Sequence, residues 1–148
     1  MSTSARTHSV SGKCVYQPQL LIDGRLGALD GKHIEIKKPA RSGTQFCNYK
    51  KYFSIVLLAV CDSENKFVYV DIGSYGSESD GGVFNRSTLK RGLTNGTLNL
   101  PSPADLPGTT TPSPYFFVAD AAFPLMENLM KPFPGYNLSV EQTTFNYR

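Results

Sequence analysis

The chain has 148 residues, of which 40% are hydrophobic and 18% charged, with a net charge of +3. This balance suits one folded domain and excludes global disorder. The longest apolar run, residues 55–61, is far short of the ~20 residues a bilayer crossing needs, and the first residues lack the apolar segment of a secretory signal, so neither a membrane span nor classical export is expected.

Residues 1–23 are polar, rich in Ser and Thr, and without hydrophobic period; they read as a tail with a short ordered stretch near Leu20–Ile22. Residues 24–27 read as a turn. Residues 28–36 alternate from Lys32 onward, the period-two signal of a strand. Residues 37–51 are basic, carry Pro39 and Gly43, and read as a loop. Residues 54–61 form a continuous apolar run of strand length, which suits a central strand covered on both faces. A polar turn at residues 62–66 leads into residues 67–73, rich in β-branched and aromatic side chains, which form the returning antiparallel strand.

The glycine- and serine-rich stretch at residues 73–82 is a loop, with Ser79 or Asp80 able to cap the helix after it. Val83, Phe84, Ser87, Leu89 and Leu93 give one helical stripe, ended by Gly92 or by Asn95-Gly96. Residues 101–114 hold five of the ten prolines and read as an extended surface loop. Residues 115–119 are a fourth strand ending on Asp120, expected to lie parallel to the first. Pro124 and the following Leu125, Met126, Leu129 and Met130 read as a short helix with Pro in its first turn. Residues 139–148 read as the entrance to a further helix. The order strand-strand-strand-helix-strand-helix is the skeleton of an RNase-H-like α/β mixed sheet.

Two acidic residues stand out. Asp30 lies within the first strand and Asp120 ends the fourth. An Asp inside an apolar strand is costly to bury unless paired or metal-bound. On neighbouring strands the two carboxylates would face each other, and a divalent cation relieves their repulsion. The competing reading is that each caps a turn. Asp71 reads as solvent-facing, and Asp80 as either a helix cap or a supporting partner of the carboxylates. His33 either satisfies a backbone hydrogen bond or supports the acidic pair. Neither G-x-S-x-G, H-E-x-x-H nor a Walker A loop occurs. Cys14, Cys47 and Cys61 lack C-x-x-C spacing and read as reduced thiols.

Charge is unevenly placed. Residues 1–53 hold nine Lys/Arg against three Asp/Glu, and the rest holds six against nine. Lys37, Lys38, Arg41, Lys50 and Lys51, interleaved with Phe46, Tyr49 and Tyr52, form a candidate DNA-backbone contact, with anchoring of the loop as the alternative role for the aromatic residues.

Several blocks resemble one family in order. Gly27-Ala28-Leu29-Asp30-Gly31-Lys32-His33-Ile34 is similar to the signature around the first catalytic Asp of PIF/Harbinger-type transposases and Harbinger-derived nucleases. Asn48-Tyr49-Lys50-Lys51-Tyr52-Phe53-Ser54 resembles their basic-aromatic step into the second strand. The stretch from Asp71 to Phe84 resembles their glycine turn and helix start, and Val118-Ala119-Asp120-Ala121-Ala122-Phe123-Pro124-Leu125 the block of their second catalytic Asp. Phe145-Asn146-Tyr147-Arg148 resembles the approach to their last catalytic helix.

The resemblance implies a DDE catalytic domain over residues 24–148 that uses Mg²⁺ or Mn²⁺ for DNA phosphodiester chemistry, with Asp30 and Asp120 as catalytic, metal-binding residues. It implies DNA as partner, a separate Myb-like DNA-binding protein, and a nuclear location, with the cytoplasm also open. The family's third carboxylate, a Glu, lies beyond a segment like residues 145–148. Glu141 precedes that segment and does not replace it. The expectation is therefore a domain lacking its C-terminal part, with weakened metal binding and little or no cleavage. The alternatives are a catalytically inactive module that binds DNA or protein, or a fragment without function.

Overall fold

The hairpin signals become three antiparallel neighbours, β1 (Arg25–Glu35), β2 (Ser54–Cys61) and β3 (Phe67–Tyr75). The structure is a computed structural model that describes residues 24–147. The expected tail at residues 1–23, with His8 and Cys14, lies outside the described residues. Between β2 and β3 the Asp62 carboxylate accepts from the Glu64 and Lys66 amides at 2.9 Å each, and Asn65 adopts φ 61°. Asp and Asn suit such a turn because their short side chains mimic backbone and tolerate the left-handed region.

β1 begins earlier than its alternation suggests. Its pairing with β6 shifts register between Arg25 and Gly27. This bulge lets Leu26 and Leu29 both be buried although they lie three positions apart, an odd spacing that would otherwise put them on opposite faces. Gly27 has φ 155°, and a methyl there would overlap the Cys61 carbonyl. Of the residues read as a turn, Gly24 does lie in one, at φ 74°, while residues 25–27 are the bulged start of the strand.

The single helical stripe is two helices, α1 (Asp80–Arg86) and α2 (Thr88–Asn95). Ser87 divides them in an extended conformation. Its hydroxyl donates to the Phe84 carbonyl at 2.7 Å and accepts from the Lys90 amide at 3.1 Å. One serine therefore closes the first helix and caps the second. Gly96, at φ 65°, ends α2. The proline-rich loop carries a small hairpin, β4 (Ala104–Asp105) and β5 (Pro112–Ser113).

β6 (Phe116–Ala119) lies parallel to β1, as expected. The helix expected from Pro124 does not form. Met126 and Leu129 exchange backbone hydrogen bonds at 2.9 and 3.1 Å, and β7 (Leu129–Met130) adds a parallel strand to β6. Tertiary pairing overrides the local helical spacing, because Asn128 binds the segment to β6 through the Phe117 amide and the Tyr115 carbonyl. The closing helix is α3 (Val140–Tyr147). Ser139 accepts from the Gln142 amide at 3.2 Å, and the Gln142 side chain accepts from the Ser139 amide at 3.0 Å, a reciprocal cap.

The sheet order is β3-β2-β1-β6-β7. Leu29, Val56, Leu58 and Val60 pack from one face against Val83, Phe84, Leu89 and Leu93 of the helices. Phe84 meets Phe123 edge to face, with centroids 5.7 Å apart. Each fully buried side chain of this size contributes about 1.5–3 kcal/mol. The other face is only partly covered by the described residues: Ile55 and Leu57 are half-buried, and Ile72 is 58% exposed. The expectation that β2 is covered on both faces holds for one face.

Candidate active site

Asp30 sits in the middle of β1, opposite Ala59 of β2. One residue earlier, Leu29 lies beside Ala119, the last residue of β6, and Asp120 follows. Each carboxylate is therefore one residue beyond the same cross-strand pair, on strands whose backbones run about 4.8 Å apart. Both side chains are exposed. In each, one oxygen is fixed by a backbone amide: Asp30 Oδ1 accepts from Gly31 and Asp120 Oδ1 from Ala122, both at 2.8 Å. Asp120 does cap the turn after its strand, whereas Asp30 lies mid-strand, where no turn needs it. The pairing places the two carboxylates together, each with a second oxygen that makes no protein hydrogen bond among the described residues.

A third carboxylate approaches from the helix side. Ser79 is the N-cap of α1, its hydroxyl accepting from the Gly82 amide at 3.2 Å, so Asp80 is the first helical residue rather than the cap. The Asp80 side chain lies directly on Gly31, where a methyl would overlap its carboxyl group. Only glycine permits that approach. Asp80 Oδ1 is buried without a hydrogen-bond partner among the described residues. Burial pushes the Asp80 carboxyl above its ordinary range; the nearby His33 opposes this, and the Asp30 and Asp120 charges add to it. Asp30, His33, Asp80 and Asp120 thus form one electrostatic group.

His33 bonds a side chain, not the backbone: its Nδ1 lies 2.9 Å from Ser54 Oγ. Its ring meets Tyr49 edge-on at 5.9 Å. Ser54, fully buried, also accepts from Asn48 Nδ2 at 3.0 Å. Asn48 Oδ1 accepts from the Lys50 and Tyr52 amides at 3.0 and 3.3 Å. Sequence patterns do not single out Asn48 or Ser54. A serine heading an apolar strand and an asparagine in a basic loop are weak signals singly.

The basic loop leaves β1 six residues after Asp30, about 20 Å along an extended strand. Lys37, Lys38, Arg41, Lys50 and Lys51 are all exposed. Lys38 Nζ lies 5.3 Å from the Phe53 ring centre and Lys50 Nζ 5.5 Å from that of Tyr49. The aromatic residues divide their roles. Phe46 anchors the loop edge-on to Tyr75 at 5.0 Å, while Tyr49 is 75% exposed.

Asp71 and Glu141 stay apart from the centre. Asp71 lies on β3, paired with Leu58 of β2 and two strands from Asp30; it is half-buried rather than solvent-facing as expected, because its register puts it on the side of Leu58, and it accepts weakly from the Tyr69 hydroxyl at 3.5 Å. Glu141 accepts from the Ser139 hydroxyl at 2.7 Å, which lowers its carboxyl below the ordinary value. Among the described residues, no three His, Cys, Asp or Glu side chains are arranged to hold a metal ion. The donor set of Asp30 and Asp120 nonetheless suits a hard cation. Mg²⁺ is commonly held by one or two carboxylates, with waters and substrate phosphate filling the remaining positions.

A mixed sheet in this order, with acidic residues mid-way along β1 and at the end of β6, is consistent with an RNase-H-like domain. The sequence matches the DDE superfamily endonuclease family over residues 29–148. The chain therefore belongs to that family. It is also 33% identical over 124 residues to Protein ALP1-like of Arabidopsis thaliana, an alignment that covers 82% of this chain and 30% of that relative. No solved structure matches. Among the described residues, no helix is long and apolar enough to cross a membrane.

Proposed function

We propose that Asp30 and Asp120 hold a divalent cation, Mg²⁺ or Mn²⁺, for cleavage of DNA phosphodiester bonds. The observation that carries this reading is the cross-strand placement of two exposed carboxylates beside the Leu29–Ala119 pair. The Gly31 and Ala122 amides hold one oxygen of each, leaving the other to face a ligand. When bound, the cation supplies charge stabilisation for the attacked phosphate and a more acidic water. The chain's own residues orient that site. Gly31 admits Asp80 beneath it, and the exposed lysines and Arg41 offer contacts for a phosphate backbone. No third carboxylate joins the pair on the Asp30 face among the described residues, so cation affinity is modest and turnover slow. The reading carries with it a nuclear location and a Myb-like partner that supplies sequence-specific DNA binding.

The test is Mn²⁺ titration together with nicking of supercoiled plasmid. The 148-residue chain is expected to bind Mn²⁺ and nick DNA slowly, and both Asp30→Asn and Asp120→Asn to abolish the two activities. Salt-sensitive DNA binding without cation binding or product would overturn this in favour of a binding module, a reading that the exposed basic loop with its outward Tyr49 supports.

A further inference from the structure

The polar chain from Asn48 to His33 can be solved for its protons. Asn48 Oδ1 accepts from two backbone amides, so the orientation of its side-chain amide is fixed and Nδ2 faces Ser54. Ser54 Oγ receives that N–H, and Ser54 has no exposed surface through which water could take its own proton. Buried hydroxyl protons find acceptors. Among the partners of Ser54 Oγ, Asn48 Nδ2 is a donor, which leaves His33 Nδ1 as the acceptor. The imidazole then carries its proton on Nε2.

This matters because of what shares the face. Residues two apart on a strand point the same way. His33 therefore projects to the side on which Asp80 covers Gly31. Asp80 Oδ1 is the one buried polar side-chain atom without a partner among the described residues. The same Asn48 that sets the tautomer also folds the turn carrying Lys50 and Lys51.

We propose that the Asn48–Ser54–His33 relay locks His33 as an Nε2–H donor toward the Asp80 side of the carboxylate centre, making His33 a positioning residue and coupling the basic loop to that centre. The relay itself stands on hydrogen-bond geometry; its effect on cation binding rests on the proposed function above. Removing such outer partners commonly lowers metal affinity or activity 10–100-fold.

Long-range ¹H–¹⁵N spectra of the imidazole, taken at about pH 8 where an ordinary imidazole is neutral, read the tautomer directly. A His8→Gln background leaves His33 as the sole histidine. The wild-type relay is expected to show protonated Nε2 and bare Nδ1. Asn48→Asp replaces the donor facing Ser54 with an acceptor while keeping an oxygen for the Lys50 and Tyr52 amides. The Ser54 proton then turns to the introduced carboxylate, and His33 is expected to switch to protonated Nδ1. A wild-type Nδ1–H form, an even mixture, or a folded Asn48→Asp variant with unchanged tautomer would overturn the relay.

Ser54→Ala is expected to weaken Mn²⁺ binding roughly tenfold, with Ser54→Thr retaining affinity wherever its spectrum shows the fold intact. Unchanged affinity in Ser54→Ala would overturn the positioning role. Absence of Mn²⁺ binding by the wild type would instead overturn the cation reading and remove the positioning role with it; the tautomer would still be decided by the spectra.

Discussion

At the scale of single residues, Asp80 occupies a place unfavourable to its charge. It is partly withdrawn from water, has an unpartnered oxygen, and lies within the field of Asp30 and Asp120. Burial raises its folded-state pKa, so between that value and the ordinary carboxyl pKa of about 3.9 the folded state binds more protons than the unfolded one. Its contribution to stability therefore improves as pH falls through the window and is constant below it; above the folded pKa the full electrostatic cost remains. Asp80→Asn removes the ionisation. The melting temperature of the variant is expected to exceed that of the wild type by a few degrees at pH 7–8, and the gain to shrink to nothing by about pH 3, below the ordinary carboxyl pKa. Thermal denaturation followed by circular dichroism across that range checks this. A constant difference at every pH would mean that the amide changes packing and not charge. A residue kept where it destabilises the fold is typical of functional sites, where stability and activity trade off.

Among the elements, Ser87 makes the separation of α1 and α2 testable. Its hydroxyl serves both helix ends and is buried. Ser87→Ala leaves the Lys90 amide without its cap and is expected to lower stability by about 1 kcal/mol. The urea midpoint should fall with the slope of the transition unchanged, because the surface exposed on unfolding stays the same. A stability equal to the wild type would show that the two helices do not depend on this cap. The same serine explains a limit of pattern reading. Val83, Phe84, Leu89 and Leu93 do face one core, so the stripe was legible, but the break depends on a side chain bonding backwards and forwards at once.

The three antiparallel strands were legible because their apolar periods agree with their pairing. β7 was not, since a two-residue strand exists only through its contact with β6, ten or more residues away. The start of β1 was hidden by the Gly27 bulge. In the site, Asp30 and Asp120 stood out because each interrupts or ends an apolar strand, although the burial cost that this suggests is not incurred, since both side chains are exposed. Asn48 and Ser54 did not, since their partners lie 6 and 21 residues away and only folding brings them together.

At the scale of the whole molecule, the two sheet faces are unequal. The helices cover the face of Leu29, Val56 and Leu58. On the opposite face, the cross-strand register sets Asp30 beside Ala59 and Val70, and Lys32 beside Leu57 and Ile72. Val70 and Ile72 are 50% and 58% exposed, so the Asp30 carboxylate projects from an apolar surface. β3 is also the end strand of the sheet among the described residues. An exposed apolar face favours self-association. The net charge of +3 opposes this weakly. The chain is expected to bind a hydrophobic dye such as ANS and to show concentration-dependent association in sedimentation. Ile72→Lys places a charge on that face without touching the helix-side core. It is expected to reduce both signals while leaving the melting temperature within a few degrees of the wild type, since the strand preference lost is under about 1 kcal/mol. A wild type that stays monomeric at high concentration and ignores the dye would mean that this face is covered in solution. In that case Asp30 would work beneath a cover, and the cation would reach it only from the Asp120 end of the sheet.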